Sequence, residues 1–508
     1  NIITRKQQKS VAVALGSEER RALDALWSHA GDEWKANAYL HAYEDKGQAL
    51  TITDSFTRLP LQTEDPRRLL NMDLGIGRGK TQVDLTYYRG ESEDFYLSEN
   101  TANGVNDHAR ELWNLSIDQG MEWTPAIKSN LSLSYQRFTF ELEGFVQGPG
   151  ALAAVSSPSS NDPFRIQATQ AGESYRLAYT TDWTIDDQSS AQWGLQAARH
   201  EEIEARAYSN YNLVQLIQRQ FPIAYYGEMS ERTPLGISGS QTILGVHGQY
   251  IRSLRDTTRL TIGGRYDDYS DVDARFSPRL ALVEQLSDTY TLKLLYGEAF
   301  RAPTLAETAF INNPTLIGNP NLRHEIVNTW DLILMGNWRS TSLSAGLFQN
   351  RYEHPIVTGF VGNTRTYING DSEKSDGLEV EWLQHLGDRW SVRSTYTHMN
   401  LPDTAFREAE SLASVEINYA AQRWNWNIAG IYQGKHEAPV TASTRSTLDD
   451  FWLLNTQWRY RFASGYDLSV QIKNLTDEDY ATPAQGLGKL NGVPGRGREL
   501  TAEIEWRW

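Results

Sequence analysis

The last ten residues, ELTAEIEWRW (499–508), alternate strictly: Leu500, Ala502, Ile504, Trp506 and Trp508 are apolar, while Thr501, Glu503, Glu505 and Arg507 are not. A period of two is the signature of a strand with chemically opposite faces, since successive side chains point to opposite sides of a sheet. The pattern recurs in TQVDLTYY (81–88), TYTLKLLYG (289–297), DGLEVEW (376–382), WNWNIAGIY (424–432) and YDLSVQIKN (466–474). Each alternating run is about ten residues. At ~3.3 Å per residue and a tilt near 45°, ten residues rise roughly 23 Å, the height of an outer-membrane apolar band.

Composition decides between this reading and its rivals. The chain has 508 residues, and by length alone two to four domains are expected, although a closed barrel can run this long as one unit. It contains no cysteine, which fits a bacterial envelope protein. A net charge of −16 argues against nucleic acid as a partner, because a phosphate-binding surface needs a basic excess. Aromatic residues make up 11% of the chain. Mean hydropathy is −0.54, and no run of about 18 apolar residues is present for a spanning helix. Spanning strands are apolar only at every second position, so a polar average does not exclude them.

Turn chemistry punctuates the runs. Short Gly/Asp/Asn/Ser turns fall at 31–32, 77–79, 184–190, 254–257, 286–289 and 463–465, and long polar loops at about 46–66, 91–108, 146–164, 206–239, 301–323, 353–364 and 475–497. Short turns at one end and long loops at the other describe an all-β, transmembrane antiparallel barrel of about 22 strands, a width at which a separate plug fills the lumen. A soluble barrel this wide could not fill an apolar interior, and no propeller-like repeat of about 40 residues is present. A sandwich would leave long edge strands to protect. In the barrel, the apolar face of 499–508 meets outer-membrane lipid and lipopolysaccharide. A one-residue slip would turn Glu503, Glu505 and Arg507 into lipid, at about 2–4 kcal/mol for the cation at the midplane, so the register is strongly fixed. Trp506 and Trp508 should then sit at the inner interface.

Several stretches resemble the TonB-dependent outer-membrane receptors: YGEAFRAPTLAE (296–307), NPNLRHE (319–325), DGLEVEW (376–382), NLTDEDY (474–480), GVPGRGRE (492–499) and the terminal aromatic. The order FRAP then NPNL is the most specific of these, and the resemblance covers nearly the whole chain. It implies active import of a scarce nutrient, most often an iron chelate (siderophore), with cobalamin or haem as alternatives. It also implies an N-terminal plug, a TonB partner acting through the region before the barrel, and no catalysis or resident cofactor. The last aromatic resembles the signal read by the barrel-assembly machinery, carried by Leu500, Ala502, Ile504, Trp506 and Trp508. NIITRK (1–6) resembles the end of a plug, leaving 7–508 as the barrel. The chain opens on Asn1 rather than Met, as a mature or trimmed fragment would; a naturally plugless passive pore is the alternative.

Candidate ligand residues follow on each reading. Arg301, after Phe300, either pairs with a carboxylate at a loop base or forks onto an anionic ligand. Pro303, which cannot donate to a ladder, should mark the strand's exit. Asn319 and Asn321 belong to the NPNL element. In the loop 206–239, Leu213, Leu216, Ile217 and Phe221 stand at helical spacing before Pro222, flanked by Tyr208, Tyr211, Tyr225 and Tyr226. This reads as a short helix at the mouth, either a binding element or packed on other loops. Asp267, Asp268, Asp271 and Asp273, like Glu91, Glu93 and Asp94, form acidic loops whose spacing matches no known calcium loop. In the family that the chain resembles, haem importers usually carry a histidine between the FRAP and NPNL elements; none lies there, which lowers the case for haem, while His324 follows NPNL directly and His247, His354 and His436 are expected to be lumen or loop residues. GIGRG (75–79) precedes a strand rather than a helix and reads as a hairpin turn, and no nucleophile–base constellation is evident.

Overall fold

A computed structural model describes residues 9–53, 59–93, 107–236, 239–312, 316–362, 364–439, 444–483 and 492–508. Residues 1–6, expected to be the end of a plug, lie outside the described residues. Among those described, 22 strands close into an antiparallel barrel. Each wall strand pairs with its sequence neighbours, and closure is made by Lys9–Gly16 against Glu499–Arg507, with Val13 opposite Ile504. A further short strand, Glu231–Pro234, pairs with the upper end of Ser189–Ser209. Both chain ends of the barrel lie on the side of the short turns, where the Trp508 amide donates to the Lys9 carbonyl at 3.2 Å.

The faces follow the alternation. Ile504 is 56% exposed and Trp508 55%, whereas Glu499 across the pleat is only 8% exposed. Inside, polar side chains bond to one another: Arg507 lies 3.0 Å from Asp467, and Ser469 donates to Glu503 at 3.3 Å. Two aromatic belts bound the apolar surface. Near the short turns lie exposed Trp27, Trp34, Trp123, Trp183, Trp338, Trp390, Trp424, Trp506 and Trp508, with the last two stacked at 4.4 Å. Towards the loops, cross-strand pairs face outwards: Tyr87–Trp113 at 4.4 Å, Tyr135–Tyr175 at 5.2 Å, Tyr296–Trp330 at 4.6 Å and Tyr432–Trp452 at 5.2 Å. Amphipathic rings favour the headgroup level, and the pairs add contact energy across the ladder.

Strand height departs from the ten-residue expectation. Phe164–Asp186 has 23 residues, and its neighbours Ile127–Gln147 and Ser189–Ser209 have 21 each. At ~3.3 Å per residue and about 40° tilt, 23 residues rise roughly 58 Å, more than twice the ~25 Å apolar band. The upper halves of these strands therefore stand in water, and both their faces can be polar there. The loop expected at 353–364 runs to 372 and contains a hairpin, Ile356–Val361 against Thr364–Asn369. Connections 401–410 and 434–450 are also long, which the turn residues did not reveal.

Among the described residues, the conventional core lies above the membrane. Phe164, Ile166, Ala168, Ala207, Tyr211, Leu213 and Ile223 bury one another between the tall strands and the 210–239 connection. The expected helix is present as Leu213–Gln218, capped by Asn212 accepting from the Gln215 amide. Leu213 is fully buried, and Leu216 and Ile217 pack on the cluster. Phe221 falls outside the helix and is 60% exposed, because Arg219 at φ +54 ends the run before Phe221 can reach the apolar stripe.

Candidate functional site

The FRAP–NPNL segment builds one scaffold. Strand Tyr290–Arg301 ends just before Pro303, as expected of a residue without an N–H. Thr304 and Glu307 form a capping box on helix Leu305–Ala309. Arg301 donates to Glu307 at 2.7 Å and to Glu325 at 3.4 Å, and Glu325 accepts the Ile356 amide at 2.8 Å. The guanidinium thus pairs with carboxylates at a loop base. Phe300 packs edge-on against His324 at 5.0 Å and Tyr269 at 5.9 Å. Burial, then the nearby Arg275 charge, pushes the His324 imidazole below its usual pKa. Asn319 donates to the Tyr367 carbonyl at 2.9 Å and accepts the Asn321 amide at 3.0 Å. The segment is therefore the seat of the hairpin Ile356–Asn369.

The four tyrosines separate. Tyr211 is fully buried, its ring 5.4 Å from Phe164 and 4.7 Å from Tyr225, and its hydroxyl donates to the Asp162 carbonyl at 3.0 Å. It has no exposed surface to offer a ligand; a loop of this length needs its own core, and Tyr211 supplies part of it. Tyr225 donates to the Asp162 carboxylate, which raises its phenol pKa. Tyr208 lies under the Arg206 guanidinium at 5.9 Å, and the Tyr226 amide donates to the Asn210 carbonyl at 2.9 Å. Of the acidic residues, Asp267 is held by Arg265 at 2.6 Å and Asp271 accepts from Gln241 at 3.0 Å. Asp94 lies outside the described residues, and no group of three metal-ligating side chains occurs among those described.

The register assembles a constellation that the sequence did not single out. Near the loop end, beside the closure, His41, Arg67, Tyr88, His108, Arg110 and Lys473 line one cavity of about 540 Å³. Alternation places them on the lumen face, opposite outward Leu40, Leu70, Tyr87, Trp113 and Ile472. Arg67 is held by Asp65 at 3.0 Å and His41 contacts Asp24 at 2.8 Å. Arg110 lies over the Phe140 ring at 5.6 Å. Among the described residues, neither Arg110 nor Lys473 has a carboxylate within ion-pair distance. Three permanent cations with phenol and imidazole donors can hold an anion with several oxygens. The six residues are scattered between positions 41 and 473; only inward parity combined with sheet register would have joined them.

A buried ion network closes the wall below the loops. Arg496, from GVPGRGRE, donates to Asp45 at 2.7 and 3.1 Å, to Asp65 at 2.7 Å and to Glu499 at 3.2 Å. Arg20 pairs with Glu499 and donates to Thr501 at 2.9 Å. Burial alone would lower the Arg496 pKa, but its hydrogen bonds to Asp45 and Asp65 prevail and raise it, keeping the guanidinium charged.

A closed 22-strand wall with an apolar exterior, aromatic belts and a polar lumen defines a bacterial outer-membrane barrel. Residues 42–475 match the family described as TonB dependent receptor-like, beta-barrel, and the chain belongs to that family. It is similar to the vitamin B12 transporter BtuB of Vibrio vulnificus, 26% identical over 251 residues that cover 48% of this chain and 39% of that one. It is also similar to the ferric enterobactin receptor PirA of Pseudomonas aeruginosa, 24% identical over 269 residues, covering 44% and 35% respectively. The matched stretches thus span less than half the length of these curated relatives. Among solved structures, the siderophore receptor PirA from Acinetobacter baumannii superposes with a TM-score of 0.76 at 15% identity, covering 100% of this chain and 81% of that one. The copper transporter OprC superposes at 0.72 and 15% identity, covering 99% and 81%. These relatives are receptors and transporters rather than enzymes.

Proposed function

We propose that this chain is the barrel of an active importer that captures an anionic metal chelate, a ferric siderophore, at its loop end and passes it inwards under TonB coupling. The observation that carries the reading is the lumen-facing cluster of Arg67, Arg110 and Lys473, within a chain whose net charge is −16. Against such an acidic background, three cations gathered on one wall favour an anion, and Tyr88, His41 and His108 add donors to its oxygens. Phe300, Arg301, Asn319, Asn321, Tyr208, Tyr225 and Tyr226 then act mainly by holding the loops around the mouth. TonB engages through the region preceding the barrel, and the C-terminal aromatic strand is what the assembly machinery reads.

The test is growth of a deletion strain, complemented with the full gene, on limiting ferric siderophores, haem or cobalamin as sole supply. Restored growth on a ferric chelate, lost in a strain without TonB, is expected. Restoration by cobalamin alone would overturn the cargo, and uptake independent of TonB would indicate a passive pore. Arg110→Glu with Lys473→Glu should weaken chelate binding at least tenfold while leaving barrel yield unchanged.

A further inference from the structure

A second group of cations faces the lumen, away from the mouth cluster. Arg176, Arg265 and Arg279 stand on the strands Phe164–Asp186, Thr258–Tyr269 and Arg275–Gln285. Their sequence neighbours Tyr175, Leu177, Tyr266 and Leu280 are exposed on the lipid side, so alternation turns the three arginines inwards. Tyr175 belongs to the outer aromatic belt, and Leu280 stands opposite Tyr296 of the same belt. The group therefore sits at the outer headgroup level, whereas Arg110 of the mouth cluster lies loopwards of the belt residue Trp113.

The guanidiniums converge on neutral groups. Arg176 donates to the side-chain oxygen of Gln196 at 3.0 Å, and Arg265 reaches the same oxygen at 3.5 Å. Arg279 crosses the neighbouring strand to the side-chain oxygen of Gln249. Both crossings need glycine beneath them: a Cβ on Gly245 would collide with the Arg265 guanidinium, and one on Gly263 would stand 3.0 Å from Arg279 Nε. Of the carboxylates on this wall, Asp267 is 3% exposed and accepts from Arg265 at 2.6 Å, and Asp182 accepts from Gln192 at 2.7 Å. Among the described residues, Arg176 and Arg279 have no carboxylate within ion-pair distance. An amide oxygen accepts a hydrogen bond but supplies no charge, so two of the three cations stay uncompensated. Arg176 and Arg265 share one oxygen and are close enough for a single carboxylate or phosphate to bridge them, and His247, opposite Arg265, adds a donor.

We infer that this wall is a second anion site, taking a small molecule with two linked carboxylate or phosphate groups, one forked between Arg176 and Arg265 and the other on Arg279. In a wet lumen a lone carboxylate is lost readily to water, whereas linking two groups makes the second contact intramolecular. The site stands whatever the mouth cluster captures. The purified 508-residue chain in non-ionic detergent, carrying Arg110→Glu and Lys473→Glu to silence the mouth cluster, is to be dialysed to equilibrium against labelled inorganic pyrophosphate. One pyrophosphate per chain should bind, and acetate or chloride should displace it at least tenfold less well than unlabelled pyrophosphate does. Adding Arg176→Gln with Arg279→Gln should weaken binding at least tenfold. If that variant folds poorly, Arg279→Gln alone serves, with an expected loss of at least threefold. Arg393→Gln removes a lumen arginine already matched by Glu381 at 2.6 Å and should change nothing. No bound pyrophosphate, equal displacement by acetate or chloride, unchanged affinity in the Arg176 and Arg279 variants, or an equal loss in Arg393→Gln would overturn the assignment.

Discussion

Arg496 shows how much one side chain can do at the closure. It joins the two ends of one early loop, at Asp45 and Asp65, to the final strand at Glu499. Its removal leaves Asp45, Asp65 and Glu499 with only Arg20 and Arg67 to balance them, a change that costs up to about 3–5 kcal/mol. Arg496→Ala should therefore lower the thermal midpoint of the detergent-solubilised barrel strongly. Arg496→Lys should recover only part of the loss, because an ammonium cannot fork onto Asp45; a wild-type midpoint for the alanine variant would refute the role. On the last strand the two faces make opposite demands. Ile504→Lys places a cation in lipid at about 2–4 kcal/mol, while Glu505→Lys keeps its charge in the lumen beside Arg507. Membrane-inserted yield should fall much further for the first than for the second, and equal yields would contradict the assigned faces.

At the scale of elements, what could be read from the chain was what period two encodes. Leu468, Val470 and Ile472 face outwards against Ser469 and Gln471 because any other register would put amides into lipid. Where lipid stops acting, the signal fades. The upper half of Phe164–Asp186 alternates poorly, since Gln167, Thr169 and Gln170 meet water whichever face they take, so the alternation showed only about ten residues of a much taller strand. The hairpin Ile356–Asn369 was hidden because its partners are distant: Asn369 accepts the Arg323 amide at 2.8 Å and donates to the Arg323 carbonyl at 3.0 Å and the His354 carbonyl at 2.9 Å. Asn369→Ala breaks all three bonds and should release the hairpin. Limited proteolysis is expected to cut near Gly362 several times faster in this variant; an unchanged rate would show that other contacts hold the hairpin. Tyr211 illustrates the converse error, since a tyrosine in a long loop reads as a binding residue until the loop is seen to need a core.

The whole molecule depends on a wall that is apolar outside and wet inside. Among the described residues the ladder closes on itself, Lys9–Gly16 against Glu499–Arg507, so no wall strand presents a free edge to lipid. Because side chains alternate, the same strands that anchor the barrel also carry Arg67, Arg110 and Lys473 into its lumen. Import through this barrel is possible only if that division of faces is real. The chain contains no cysteine, so a single introduced thiol can be labelled cleanly. The decisive measurement places an environment-sensitive fluorophore in turn at Thr501, Ala502, Glu503 and Ile504 in barrels reconstituted into vesicles, with quenching by a lipid-borne quencher and by aqueous iodide. Labels at 502 and 504 should be quenched from the lipid and those at 501 and 503 from water; a uniform or inverted pattern would contradict the barrel and the transport reading built on it.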